Sequence, residues 1–69
     1  MERNFQLDWP AIVKEAIERR KESGLTQKQL AVLVGISKPT VIHFERQGKN
    51  ITLNSAFAIL KMLGLLKKS

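Results

Sequence analysis

The sequence predicts an all-α protein, a small bundle of four or five helices with an extended N-terminal arm. Three observations carry that reading. Apolar residues recur three and four apart through Trp9–Ile17, Leu30–Phe44 and Ala56–Leu63, the period of a helix with one buried face. Residues that cap helix starts stand just before these runs, and glycines stand just after the first and the last. The chain has 69 residues and no cysteine, so neither a disulfide framework nor a thiolate zinc site is available. A helical core or dimerisation must stabilise it. Residues 1–69 read as one domain.

Residues 1–9 form the arm. Phe5, Leu7 and Trp9 alternate with Asn4, Gln6 and Asp8, which gives a short extended segment one apolar side. It either lies over its own core or pairs across a dimer. The first helix starts at Asp8 or Trp9, where Asp8 caps and Pro10 suits the first turn. Trp9, Ile12, Val13, Ala16 and Ile17 make its inward stripe, which Arg20 continues; Glu15, Glu18, Arg19 and Glu22 line the outside. Gly24 ends it. A charge on the core side needs a partner. Glu45 is the only acidic residue after Glu22, so it is the partner expected for Arg20.

Residues 27–46 read as two short helices joined by a tight turn. Thr26 caps the first, and Gln29 completes a capping box. Gly35 sits at the reversal, where glycine takes a positive φ without steric cost. Ala31 is small enough for the helices to cross closely, and Leu30, Val34, Ile36, Val41 and Phe44 form the wall between them. Ser37 caps the second helix, and Pro39 falls in its first turn, where a missing N–H is tolerated. Gly48 is the expected C-cap. Thr52 caps a last helix, Leu53–Leu63, with Ala56, Phe57, Leu60 and Leu63 inward and Ile59 beside them, and Gly64 closes it. Ala58 and Met62 are then apolar on the outer face, followed by Leu65 and Leu66. A monomer rarely leaves so much apolar surface wet, so these four residues are the dimerisation candidates.

Gln27, Leu30, Ala31, Val34, Gly35, Ile36, Ser37, Val41, Phe44 and Glu45 together resemble the helix-turn-helix of the lambda-repressor-like (Cro/CI, or Xre) family. The likeness extends from about Ile12 to Leu65. The stretch from Asn50 to Leu65 is especially similar to HipB-type antitoxin repressors. The resemblance implies a lambda-repressor-like bundle, an Arg20–Glu45 structural pair, double-stranded DNA as partner and a homodimer. By the HipB likeness it also implies a toxin protein as a further partner, although no separate toxin-binding tail is visible. Many family members carry a fifth helix where this chain runs to Lys67, Lys68 and Ser69.

The chemistry of the second short helix suits a DNA major groove, which admits an α-helix and presents a distinct donor and acceptor pattern for each base pair. Val41 and Phe44 face inward. Lys38, Pro39, Ile42 and His43 then face outward, with Thr40 at the edge. Lys38 can donate to guanine; Pro39 and Ile42 can touch a thymine methyl; His43 and Thr40 can hydrogen-bond. Gln27, Lys28, Ser37, Arg46, Lys49 and Asn50 surround this face and suit phosphates, Gln27 because its N–H opens a helix. The family's usual glutamines are absent from the reading positions, so its operator preferences do not carry over.

Charge agrees. Residues 1–22 hold five basic and five acidic side chains, while residues 23–69 hold seven basic and one acidic and so carry the entire net charge of +6. Such a balance attracts phosphate backbones. The longest apolar run, Ala56–Leu66, is too short to span a bilayer and contains Lys61, and no signal peptide opens the chain, so a cytoplasmic protein without a membrane partner is expected. His43 stands alone, without cysteine or clustered carboxylates, so no metal or cofactor is expected. No nucleophile–base pair, phosphate-cradling loop or carboxylate pair points to an enzyme. The reading is a DNA-binding regulator, a homodimeric repressor on a palindrome. The competing reading is a protein-interaction module on the same fold, with DNA binding incidental.

Overall fold

The computed structural model describes residues 8–47 and 51–65, and it resolves the pattern above into four helices: α1 (Trp9–Glu22), α2 (Gln27–Val34), α3 (Lys38–Glu45) and α4 (Leu53–Met62). No strand occurs among the described residues. Phe5 and Leu7 of the arm, Gly48, Lys49, Asn50 and Leu66 lie outside them.

Each start is held by the side chain the local chemistry calls for. The Asp8 carboxylate accepts from the N–H of Ala11 at 3.3 Å, and Ser37 Oγ from that of Thr40 at 3.3 Å. Thr52 Oγ1 accepts from the N–H of Ser55 at 3.1 Å. Thr26 and Gln29 form a reciprocal box, with Gln29 N–H on Thr26 Oγ1 at 3.0 Å and Thr26 N–H on Gln29 Oε1 at 2.8 Å. Gly35 closes α2 at φ +85°, and its N–H and that of Ile36 both reach the Ala31 carbonyl. That double contact makes the turn abrupt and sends the chain into α3 within three residues. The left-handed residue after α3 is Gln47, at φ +60°. The helix closes at its C-cap Arg46, before the expected Gly48.

The core gathers around α3, which packs against α1, α2 and α4. Val41 and Phe44 are fully buried among Val13, Ala16, Leu30, Ala31, Ile59 and Leu60. The Trp9 ring meets Phe44 edge-on, centroids 5.7 Å apart. Trp9 thus opens α1, as the Asp8 cap and Pro10 predict, and packs on the core. Two expectations are corrected. Phe57 is 49 % exposed, and Ile59 takes the fully buried place on α4. Successive helical residues turn by about 100°. A face centred between Ala56, Ile59, Leu60 and Leu63 therefore leaves Phe57 on its flank. Arg19 also turns partly inward, its Nη1 donating to the Leu63 and Gly64 carbonyls at 3.4 Å while Nη2 keeps an ion pair with Glu15 at 3.6 Å. A cation at those carbonyls satisfies the open end of α4.

Candidate nucleic-acid interface

α3 presents its outward face because its inward one is fixed at two levels. The first is apolar, through Val41 and Phe44. The second is an ionic junction behind the helix end. Arg20 Nε donates to Glu45 Oε2 at 2.6 Å, and Arg20 Nη2 to Oε1 at 3.3 Å. Arg20 Nη1 donates to the Leu25 carbonyl at 2.8 Å, and Gln27 Nε2 to Glu45 Oε1 at 2.9 Å. Both charged side chains are about nine-tenths buried. A planar guanidinium meeting a carboxylate at two points restrains orientation as well as distance. Four pieces of chain meet here: the end of α1, the loop after it, the start of α2 and the end of α3. Among the described residues no buried side-chain polar atom lacks a partner.

The junction has an electrostatic consequence. Glu45 is the one carboxylate after Glu22, and it is turned inward onto Arg20 and Gln27. No free negative charge is left on the described outer side of α3.

Lys38, Pro39 and His43 are exposed there, with Arg46 on the same side just past the helix; Thr40 and Ile42 are half-buried. Pro39, Thr40 and His43 line a small depression together with Ile51, a residue the sequence reading had not placed. Ser37 and Thr40 hydroxyls are bonded to each other at 2.8 Å, so both are partly engaged within the cap. Gln27 stands at the first residue of α2, but its side-chain amide is committed to Glu45; its backbone N–H is what remains for an anion. Lys28 is exposed and borders an apolar trough with Leu25, Gln29, Val32 and Leu33. Lys49 and Asn50 lie outside the described residues. The sequence reading missed the part of Gln27 in the junction. The available signal was stoichiometric: a lone buried carboxylate has more acceptor sites than one arginine fills.

Of the four dimerisation candidates, Ala58 is half-buried and Met62 is 45 % exposed, and both face the end of α2 across a trough. Leu65 packs partly on the core, and Leu66 is outside the described residues. Leu53 and Phe57, 71 and 49 % exposed, make a second apolar flank on α4. Among the described residues no group of histidine, aspartate and glutamate could hold a metal ion, and no helix is long and apolar enough to cross a membrane.

Comparison with known proteins gives a consistent picture. A helix-turn-helix family model matches residues 17–66. An HTH-type transcriptional regulator of Haemophilus influenzae is 35 % identical over 54 residues, covering 78 % of this chain and 55 % of that protein. Antitoxin HipB of Escherichia coli is 41 % identical over 46 residues, covering 67 % of this chain and 52 % of HipB. An HTH-type transcriptional regulator of Methanothermobacter thermautotrophicus is 43 % identical over 47 residues, 68 % of either chain. The chain thus spans about half the length of the first two relatives. A chain in the solved structure of the HipA-HipB-O2-O3 complex superposes with a TM-score of 0.75 at 28 % identity, covering 100 % of this chain and 94 % of that one.

Proposed function

The chain belongs to the helix-turn-helix family, and from that premise we propose that it is a sequence-specific, double-stranded-DNA-binding transcriptional regulator, a non-enzymatic homodimeric repressor of the cytoplasm acting on a palindromic operator. One observation carries the reading. A buried two-point ion pair holds α3 so that its exposed side offers Lys38, Pro39, His43 and Arg46, while Glu45, the carboxylate of α3 itself, is turned inward.

In this reading Lys38, Pro39, Thr40, Ile42 and His43 face base edges. The Gln27 N–H, Ser37, Lys28, Arg46, Lys49 and Asn50 meet phosphates, which orient the protein without reading sequence. Two-fold symmetry in the protein is mirrored by half-sites about one helical turn apart. The sequence expects the dimer surface at Ala58, Met62, Leu65 and Leu66; the exposed Leu53–Phe57 flank of α4 is proposed in place of Ala58 and Met62, which face α2. Ala58 and Met62 lie on the other flank. The likeness to antitoxin HipB, and to a chain in a HipA-HipB complex, supports a toxin protein as a further partner.

Selection of binding sites from a random duplex pool at near-physiological salt tests the reading. The expected product is a palindrome with half-sites about one turn apart. Recovery of no motif, with only salt-sensitive and sequence-blind binding, would favour a protein-interaction module on this fold.

A further inference from the structure

Val32 and Leu33 stand on the outer side of α2, 71 and 53 % exposed, and nothing above uses them. Two open troughs meet at Leu33. One, of about 390 Å³, is lined by Leu25, Lys28, Gln29, Val32 and Leu33. The other, of about 380 Å³, crosses to α4 and is lined by Leu33, Val34, Ala58, Lys61 and Met62. Together they make one continuous apolar strip with a lysine beside each part. A contiguous exposed apolar patch is a candidate contact site.

The charges select the occupant. Lys28 and Lys61 are the only ionisable side chains in either lining. A second copy of the chain would present the same patch across a two-fold axis. The ionisable side chains of the two linings would then be lysines on both sides, which opposes association. An apolar segment flanked by carboxylates satisfies both features. The described residues offer no strand edge to pair with an extended peptide, so the suitable form is a helix laid on side chains. We propose that this α2–α4 face docks an acidic amphipathic helix of a partner protein, with its apolar stripe over Val32, Leu33, Ala58 and Met62 and its carboxylates against Lys28 and Lys61. The face is built without α3's outward residues, so the proposal is independent of the DNA reading.

The test titrates the ¹⁵N-labelled 69-residue chain by NMR with two synthetic helical peptides. One carries leucines at i, i+3, i+4 and i+7 among glutamates; the other has lysine at every glutamate. The glutamate peptide is expected to shift the amides of Val32, Leu33, Ala58 and Met62 and to bind at least about tenfold tighter than its lysine counterpart. Lys61→Glu should shrink or invert that preference. The double variant Val32→Lys, Leu33→Gln should abolish the peptide-induced shifts while keeping its helical circular dichroism. If that variant loses its helicity, Lys61→Glu, a change at an exposed side chain, decides alone. Equal binding of the two peptides, no shifts from either, or shifts confined to Lys38–His43 would overturn the proposal. So would shifts at these amides that follow protein concentration without peptide, and that outcome would assign the face to a second copy.

Discussion

The junction behind α3 and the outer face of α2 invert the usual partition of side chains. In the first, a charged pair is about nine-tenths buried at Arg20 and Glu45; in the second, Val32 and Leu33 stand in solvent. The difference separates two kinds of constraint. A buried ion pair is weak evidence of added stability, because desolvation offsets most of its attraction. It does restrict how the four pieces of chain it touches can be arranged. An exposed apolar pair does almost nothing for the fold and leaves a surface open to a partner. The same chain therefore places charge where orientation matters and apolar groups where contact is to be made.

The largest effect comes from breaking the junction on one side only. Glu45→Ala leaves the Arg20 guanidinium buried with only the Leu25 carbonyl as acceptor, and it frees the Gln27 amide. A loss of about 3–5 kcal/mol of unfolding free energy is expected in urea titration. In a chain this small that approaches the whole stability. The double variant Arg20→Met, Glu45→Leu removes both charges and should recover most of that loss. If the single and double variants were equally unstable, apolar volume rather than charge would be what the junction supplies.

On the outer side of α3 the expected effect is on recognition. Lys38 is exposed and makes no described side-chain contact that holds the fold. Lys38→Ala should leave the melting temperature near its starting value and reduce discrimination at one base pair by about 1–3 kcal/mol. Competition binding against single-position operator variants measures it. An equal loss on operator and random duplex would move Lys38 from base reading to phosphate contact.

A smaller effect is expected where the two regions meet, at the start of α2. Thr26→Ala removes the acceptor of the Gln29 N–H and leaves only the return contact from Gln29 to the Thr26 N–H. Thermal unfolding should report a loss of about 1 kcal/mol.

These positions differ in how readable they were. The caps at Asp8, Thr26, Ser37 and Thr52 and the left-handed turn at Gly35 follow from a few neighbouring residues, and the sequence places each of them. The Arg20–Glu45 contact was readable for another reason: one carboxylate follows Glu22, so a core-facing arginine had one candidate. The outward register of α3 followed from Val41 and Phe44. The face of α4 did not follow, because apolar residues at 56, 57, 59, 60 and 63 fit two neighbouring phases of a helix. Only packing against α2 and α3 chooses Ile59 over Phe57. A place at a helix start marks Gln27 as an anion contact. Its amide was engaged by a carboxylate eighteen residues away, which no local pattern announces. Val32 and Leu33 are silent in the sequence for a similar reason: within α2 an apolar residue off the inward stripe carries no signal until its neighbours from α4 are known.

The smallest expected effect is the most direct check on the outer face. Val32 is 71 % exposed, so its removal opens no cavity. Val32→Ser exchanges it for a residue of similar helix propensity. Substitutions of this kind away from core, cap or ion pair change stability by no more than about 0.5 kcal/mol. Urea unfolding should therefore find Val32→Ser indistinguishable from the parent chain, and equally so at low and high protein concentration. A destabilisation well above that limit, growing with concentration, would mean that the face is covered by another copy in the folded state. The lysine-lined strip would then have found a way to pair with itself despite its charge. A null result places Val32 outside what holds the chain together, as a docking residue requires.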